Sequence, residues 1–199
     1  MRNEYNYLDP DYAYVDRSTG VLRNLAGITN EQDLHFFESV AVTKRAKELA
    51  DDPLPIMNSR SLFAIHQYLF QDVYAWAGKK RTVEISKEGK QFFPTNYFDK
   101  ALEYIDTLIT DFKKCDADNI SEMSKKLAVI LDSMNHLHPF REGNGRAQRE
   151  FLRILALERG LLLNLNPPDK SEIFEQYMSG TINGDVEKLS KLIFDLISE

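Results

Sequence analysis

The stretch from His138 to Arg149 holds the side chains of this chain that are best suited to chemistry. Its sequence, His-Pro-Phe-Arg-Glu-Gly-Asn-Gly-Arg-Ala-Gln-Arg, combines an imidazole, a carboxylate, a glycine-flanked turn and, after the turn, two guanidinium groups. Helically spaced apolar residues flank it on both sides: Leu127, Ile130, Leu131, Met134 and Leu137 before it, and Ala147, Phe151, Ile154 and Leu155 after its turn. Because Pro139 disfavours helix at the residue before it, we expect a helix, a tight loop and a second helix.

The start of the second helix has the features of a phosphate site. The first N–H groups of a helix have no internal partners, and the helix dipole adds partial positive charge there. The glycines of Gly143-Asn144-Gly145 would let an anion approach these amides closely. Arg146 and Arg149 are three residues apart and therefore share one helix face, where their guanidinium groups can pair with phosphate oxygens. This combination predicts a polyphosphate ligand.

Two further residues of the stretch suggest the reaction. Glu142 offers hard oxygen ligands, and Mg²⁺ commonly binds through one carboxylate plus the phosphates of a substrate. His138 could act as general base for an incoming hydroxyl, although its position on the apolar stripe also fits a core histidine. Zinc bound by His136 and His138 is disfavoured, because residues two apart on a helix point to nearly opposite sides. The residues alone predict Mg-nucleotide phosphoryl or nucleotidyl transfer.

The whole stretch closely resembles the signature of Fic (Fido) domain proteins, His-x-Phe-x-Asp/Glu-Gly-Asn-Gly-Arg-x-x-Arg, and every fixed position is present. Residues 20–24, 69–78 and 81–83 also look like the stretches that precede this signature in bacterial members. The resemblance implies a mainly α Fido-fold helical bundle with a small β-hairpin flap over the active site. It also implies a protein adenylyltransferase that moves AMP from ATP onto a hydroxyl side chain of a target protein. The family pattern makes His138 the general base, assigns the ATP phosphates to Gly143, Asn144, Gly145, Arg146 and Arg149, and assigns Mg²⁺ to Glu142.

The resemblance also suggests how the protein is regulated. Many family members carry an inhibitory helix of the pattern Ser/Thr-x-x-x-Glu-Gly/Asn, and this sequence contains no match: Glu84 stands four residues before Glu88, and His138 four before Glu142. We therefore expect a toxin held in check by a small antitoxin that supplies the inhibitory Glu to Arg149. Two other interpretations stay open. One is a phosphotransferase on the same fold that uses another nucleotide or orientation, and the other is a catalytically silent interaction module.

A change of periodicity predicts a β-hairpin at about residues 81–94. Residues 81–86 alternate polar and apolar, a turn with Gly89 follows, and aromatic residues come next. On spacing alone this is a surface hairpin with no partner, although an open sheet edge can pair with an extended peptide. The family resemblance instead implies a flap that docks the target protein. The residues predicted to dock it are Ile85, Ser86, Phe92 and Phe93.

The rest of the sequence predicts one helical domain behind an irregular arm. Residues 1–28 show no long periodicity and are assigned to an irregular N-terminal arm, and residues 29–199 to a single Fic domain. Besides the two helices around the signature, helices are expected at about 30–50, 62–76, 97–112, 171–179 and 185–198. Thr29 or Asn30 is the expected cap of the first helix, and Ser121 that of the helix carrying His138. Three side-chain predictions complete the assignment: an apolar face of the first helix at Leu34, Phe37, Val40 and Ala41, a packed Phe36, and a packed, non-functional His66.

Composition narrows the classes of protein. The chain has 199 residues and a formal net charge of −6, which argues against a general nucleic-acid binder. Its single cysteine, Cys115, cannot form an internal disulfide, fits a reducing compartment and is interpreted as incidental. No apolar run approaches the roughly 20 residues of a membrane span, and the N-terminal residues show no apolar signal core. We therefore expect no membrane partner, no direct nucleic-acid partner and a cytoplasmic location.

Overall fold

Helices dominate the architecture, which confirms the mainly α prediction. We obtained a computed structural model, which describes residues 5–8, 12–87, 90–166 and 171–198. Its helices are α1 (Glu31–Asp51), α2 (Ser61–Phe70), α3 (Phe98–Lys113), α4 (Ile120–Leu137), α5 (Asn144–Leu157), α6 (Ser171–Asn183) and α7 (Val186–Ser198), with a short 3-10 helix at Thr95–Tyr97. None of the helices in the described part of the chain combines the length and the hydropathy that a bilayer span requires.

Helix α4 lies at the centre of the bundle and packs against α3, α5, α6 and α7. Its apolar stripe is almost completely removed from solvent; the buried side chains are Met123, Leu127, Ala128, Ile130, Leu131, Met134 and Leu137. Burial of this apolar surface is the main favourable contribution to folding. Helix α5 follows α4 after a short loop and packs against α2, so the signature stretch joins two well-anchored helices.

Local capping explains where several helices begin. The Asn30 side chain accepts hydrogen bonds from the backbone N–H groups of Gln32 (2.9 Å) and Asp33 (3.1 Å), which confirms it as the cap of α1. Asn119 caps α4 through the N–H of Glu122 at 3.1 Å, and the predicted cap Ser121 lies inside the helix instead. An asparagine just outside α1 and another just outside α4 therefore satisfy amide groups in the first turns of these two helices.

Helix α2 ends at Phe70 and not at Trp76 as predicted. From residue 71 the backbone follows tight turns, with the N–H of Val73 bonded to the carbonyl of Phe70 (2.9 Å) and that of Ala77 to Tyr74 (3.1 Å). In these turns the rings of Tyr74 and Trp76 stack with centroids 4.3 Å apart. Stacking of large aromatic side chains outweighs the local helical spacing of the segment.

The predicted apolar face of α1 is confirmed at Leu34, which is buried, and at Phe37 and Ala41, which pack partly buried against the core, but it is wrong at Val40. The buried side chains are Leu34, Glu38, Val42 and Leu49, whereas Val40 is 56% exposed. Phe36 is 74% exposed, so the prediction that it packs is wrong. Leu34, Glu38 and Val42 are four residues apart and form one stripe on the helix, in which Glu38 is a charged residue among apolar ones.

A three-stranded antiparallel sheet replaces the expected lone hairpin. Its strands are β1 (Tyr5–Leu8), β2 (Glu84–Lys87) and β3 (Lys90–Gln91), in the order β1-β2-β3. In β1, Tyr7 pairs with Ile85, and across the hairpin Ser86 pairs with Gln91. The prediction of an irregular arm is therefore wrong for residues 5–8, and one edge of β2 is covered by this chain's own β1. The predicted hairpin turn at residues 88–89 lies outside the described residues.

Candidate active site

The signature loop begins with a left-handed residue. His138 follows α4 with φ 45° and ψ 61°, and its N–H donates to the carbonyl of Met134 at 3.0 Å. This conformation is uncommon for a residue with a side chain, and it turns the imidazole away from the direction it would have in a helix. His136 and His138 both line one cavity. Because His138 lies outside the helix, the expectation that they point to opposite sides, which assumes two helical residues, does not apply to this pair.

Asn144 holds the loop closed. Its side-chain oxygen accepts from the N–H of Phe140 at 2.9 Å, and its amide group donates to the carbonyl of Phe140 at 2.8 Å. The residue is only 3% exposed. We predicted a contact between Asn144 and phosphate, but the structure engages its carboxamide in bracing the loop. Its N–H group, in the first turn of α5, is the part that suits an anion.

Gly143 determines how α5 begins. It has φ 80° and serves as the N-cap residue, and no described side chain caps this helix. A Cβ atom built on Gly143 would lie only 2.3 Å from the Phe70 ring. The backbone therefore lies so close to this ring that a side chain would not fit between them. The uncapped amides of the first turn, at residues 144–146, can therefore serve an external anion.

Replacing Gly143 with alanine should destabilise the protein and disturb the loop. A residue with a side chain in this conformation costs about 1–3 kcal/mol, and overpacking against a buried ring costs a further 1–3 kcal/mol or so. Gly160→Ala is the matched control, because Gly160 has φ 76° but nothing within 4 Å of its Cβ position. Chemical denaturation of both variants should show the larger loss of unfolding free energy for Gly143→Ala. Equal losses would show that contact with Phe70 is unimportant.

The surroundings of His138 suit a general base. Its Nδ1 lies 3.3 Å from the carbonyl oxygen of Asn135. Because a carbonyl only accepts hydrogen bonds, Nδ1 carries the proton in this contact and Nε2 is the basic nitrogen. The imidazole stacks on the ring of Phe92, with centroids 3.9 Å apart and planes at 18°. The residue that follows β3 therefore lies directly on the candidate base.

A cavity of about 330 Å³ opens beside the imidazole. Of the residues predicted from the sequence it brings together Phe92, His138, Gly145 and Arg149. The other residues that line the cavity were not predicted from the sequence. They lie on α4, on α6, in the turn after α6 and in β3, and they are Asp132, Asn135, His136, Tyr177, Met178, Thr181, Ile182, Asn183, Gly184 and Gln91. No local pattern in residues 171–184 could have indicated this role, because α6 meets the signature loop only in the folded chain.

Arg149 is held at the cavity by aromatic side chains. Its guanidinium carbon lies 5.1 Å from the centre of the Tyr177 ring and 5.4 Å from that of Phe174. Tyr177 is 2% exposed, and burial raises the pKa of its hydroxyl while the neighbouring Arg149 opposes the shift. The two rings hold a cation at the cavity wall, where it can meet a polyphosphate.

Arg146 has different neighbours from Arg149. Its Nη2 lies 2.6 Å from Oε1 of Glu38 and 3.5 Å from Oε1 of Glu142, and its guanidinium lies 4.7 Å from the centre of the Phe70 ring. Glu38 was not predicted as a site residue. Its position in an apolar stripe of α1 is the sequence signal that could have identified it.

The carboxylate of Glu142 lies beside the first turn of α5, where a Mg²⁺ ligand was predicted. Its Oε1 accepts from the N–H of Gly143 at 2.9 Å, and the side chain is 38% exposed. No group of three or more His, Cys, Asp or Glu residues in the described ranges could hold a metal ion by itself. A single, partly exposed carboxylate beside the anion-binding end of α5 fits a Mg²⁺ ion that is bound mainly through the phosphates of its nucleotide.

The four predicted flap residues have unequal positions. Ile85 is 2% exposed in a small cluster with Tyr14 and Val83, so its side chain faces the interior, and its part in a target-docking flap stays a prediction. Phe92 is partly buried on His138, and the N–H of Phe93 donates to the carbonyl of His136 at 3.0 Å. Ser86 is half-buried in β2. Successive side chains of a strand point to opposite faces, and this places the side chain of Ile85 on the inner face of the flap.

Arg81 joins the flap to the signature loop, a role that was not predicted from the sequence. Its buried guanidinium donates to the carbonyls of His138 (2.8 Å), Val83 (2.6 Å) and Phe93 (2.6 Å). Its N–H donates to the carbonyl of Pro139 at 2.7 Å. In the alternating segment Arg81 shares a face with Val83 and Ile85, and this position on a buried face is the signal that could have revealed it.

His66 supports the loop from below, in agreement with its prediction as a packed histidine. Its Nδ1 accepts from the N–H of Gly78 at 2.9 Å, so Nε2 carries the proton and donates to the carbonyl of Glu142, also at 2.9 Å. The ring stacks between Phe70 and Phe140. Burial lowers the pKa of His66 to about 3, so the imidazole stays neutral in this position.

Comparison with known proteins agrees with this geometry. The model of the Fic/DOC family matches residues 56–156, about half of the chain, including the signature loop. The chain belongs to the Fic/DOC family. As a Fic/DOC member it is 31% identical over 195 residues to the probable protein adenylyltransferase y4lH of Sinorhizobium fredii, and this match covers 97% of the chain and 98% of the relative.

This Fic/DOC chain is also similar to a second adenylyltransferase in sequence and to an effector protein in structure. It is 33% identical over 174 residues to the protein adenylyltransferase VbhT of Bartonella schoenbuchensis, which covers 87% of this chain but 36% of VbhT. The crystal structure of BepC, a VirB-translocated effector of Bartonella tribocorum with bound AMPPNP, superposes with a TM-score of 0.79 at 23% identity and covers 93% of this chain and 96% of that one. At this identity the superposition establishes the Fido fold.

Proposed function

We propose that this Fic/DOC chain is a protein adenylyltransferase that transfers AMP from ATP to a hydroxyl side chain of a target protein. The observation that carries the proposal is the cavity in which the candidate base His138 and the cation Arg149 meet at the first turn of α5, beneath Phe92. The relatives of this chain that are called protein adenylyltransferases support it.

In the proposed reaction the phosphates of ATP lie over the first N–H groups of α5 and pair with Arg149. Nε2 of His138 accepts the proton of a Ser, Thr or Tyr hydroxyl, and the hydroxyl oxygen forms a bond to the α-phosphorus. The bond between the α-phosphorus and the oxygen that bridges to the β-phosphate breaks, and pyrophosphate leaves. The protein contributes mainly positioning and charge stabilisation, as in other phosphate-transfer enzymes.

Glu142 is the residue that would hold Mg²⁺, and a bound Mg²⁺ would neutralise charge that develops on the phosphates. The flap is the proposed docking element for the target. Because β1 covers one edge of β2, the target would approach from the side of β3 and Phe92, next to His138.

Transfer of label from ATP tests the proposal directly. The protein is incubated in lysate with Mg²⁺ and ATP labelled at the α-phosphate, and the expected result is a labelled target protein. Label from the γ-phosphate without label from the α-phosphate would identify a phosphotransferase instead. Absence of label from either position would point to a missing target or a bound inhibitor, and the partner of Arg149 should then be sought. Mass spectrometry of a labelled band would identify the modified residue.

We also propose that a small antitoxin inhibits this protein by placing a glutamate on Arg149, and that it acts in the cytoplasm, where ATP is supplied. Two observations support the antitoxin: the given sequence contains no match to the inhibitory-helix pattern, and Arg149 lies at the wall of the cavity, where a glutamate from a partner can reach it. Co-expression with a small neighbouring reading frame should suppress both toxicity and AMP transfer. Toxicity that co-expression leaves unchanged would contradict this regulation.

A further inference from the structure

A buried carboxylate outside the signature stretch holds one of its arginines. Glu38 on α1 is 5% exposed, and its Oε1 lies 2.6 Å from Nη2 of Arg146. Its Oε2 accepts a hydrogen bond from the hydroxyl of Tyr74. Burial, and then the charge of Glu38, raise the pKa of Tyr74, so this hydroxyl remains a donor at neutral pH. The carboxylate is thus fixed between donors from two other segments of the chain.

The guanidinium of Arg146 is held in three ways. Besides the ion pair with Glu38, it lies over the face of Phe70 and is 3.5 Å from a carboxylate oxygen of Glu142. The side chain remains 30% exposed. A guanidinium is a rigid plane with five N–H donors, so fixing one of them on Glu38 also fixes the directions of the others.

Stability alone does not explain a glutamate at this position. Glu38 lies in one stripe with the buried residues Leu34 and Val42, where an apolar side chain would be the ordinary choice. Removing two charges from water is costly, and replacing a buried ion pair with apolar residues is often neutral or stabilising. The carboxylate is explained better by what it does to Arg146.

We propose that Glu38 is a positioning residue: it holds Arg146 in the orientation in which its other N–H donors reach the phosphates of ATP at the start of α5. The identity of this ligand rests on the proposed function. Glu38 does not touch the nucleotide itself and acts through Arg146. The two residues therefore form one functional unit, and their substitutions should not have independent effects.

A double-mutant cycle tests this inference. The variants are Glu38→Gln, Arg146→Ala and the double variant. Transfer of label from the α-phosphate gives kcat and KM for ATP. Calorimetry gives the affinity for a non-hydrolysable ATP analogue as a second measurement. Glu48→Gln is the matched control, because Glu48 also lies on α1 and accepts from a tyrosine hydroxyl (Tyr68, 3.1 Å) and an arginine (Arg45, 2.9 Å). Thermal unfolding confirms that each variant folds. Arg146→Gln, which removes the charge opposite Glu38 but keeps a polar side chain, replaces Arg146→Ala if that variant does not fold.

We expect Glu38→Gln and Arg146→Ala each to lower kcat/KM for ATP by about tenfold or more, and the double variant to be no worse than Arg146→Ala alone. Glu48→Gln should stay close to wild type. Additive losses, a Glu38→Gln variant that behaves like Glu48→Gln, or a Glu38→Gln variant that is more active than wild type would each overturn the inference. If the wild type binds the analogue but transfers no label, the proposed function fails, and the same cycle in analogue affinity still decides the role of Glu38.

Discussion

Replacement of His138 with alanine is expected to lower the rate of AMP transfer by about 10²- to 10⁴-fold, the usual contribution of a general base. The contact between its Nδ1 and the carbonyl of Asn135 makes Nε2 the basic nitrogen, and the ring lies at the cavity that also contains Arg149. The loss should appear in kcat and not in KM for ATP, because the base acts on the target hydroxyl. Label transfer at saturating ATP measures it.

His138→Phe separates the basic nitrogen from the packing of the ring. Phenylalanine preserves an aromatic ring against Phe92, which stacks on His138 with centroids 3.9 Å apart, but offers no nitrogen. The alanine and phenylalanine variants should therefore lose activity to a similar extent. If His138→Phe retained more than about a tenth of the wild-type rate, His138 would act through packing and not as a base.

Replacement of Arg81 with alanine is expected to abolish transfer and to lower the free energy of unfolding by about 3–5 kcal/mol, because each buried acceptor left without its donor costs about 1–3 kcal/mol. Arg81 is 1% exposed, and its guanidinium donates to the carbonyls of His138 and Phe93. The substitution leaves these buried carbonyls without their charged donor and disconnects the flap from the loop that carries the base. Denaturant titration and label transfer measure the two effects.

Two arginine variants control this prediction. Arg60→Ala removes an exposed ion pair, in which Nη2 of Arg60 lies 3.6 Å from Oδ1 of Asp99 and the two side chains are 71% and 72% exposed. This substitution should change the unfolding free energy by less than about 1 kcal/mol. Arg81→Lys keeps the charge but not the planar fork of donors, so it should fold better than Arg81→Ala and still transfer poorly. An Arg81→Ala protein with wild-type stability would show that these hydrogen bonds contribute little.

Features that depend on neighbours in the sequence could be predicted from the sequence. The spacing of apolar residues on α4 and α5 and the breaks at Pro139 and Gly143 predicted the helix–loop–helix that carries the site. The same stretch contains the candidate base, the predicted phosphate ligands and the predicted Mg²⁺ carboxylate, and its resemblance to the Fic signature indicated the fold as well. Local signals of this kind suffice because helix periodicity, capping and turn formation act within a few residues.

Features that depend on packing between distant segments were decided by the tertiary structure alone. Residues far from the signature complete the site: Tyr177 at the cavity wall, Glu38 on Arg146, and Arg81 between the flap and His138. The pairing of β1 with β2 and the end of α2 at Phe70 likewise result from long-range contacts that outweigh local propensity. The sequence by itself determined which groups are suited to the proposed chemistry. The fold determined what holds each of them in position, because a buried charge or an unpaired strand edge requires a partner that sequence spacing does not reveal.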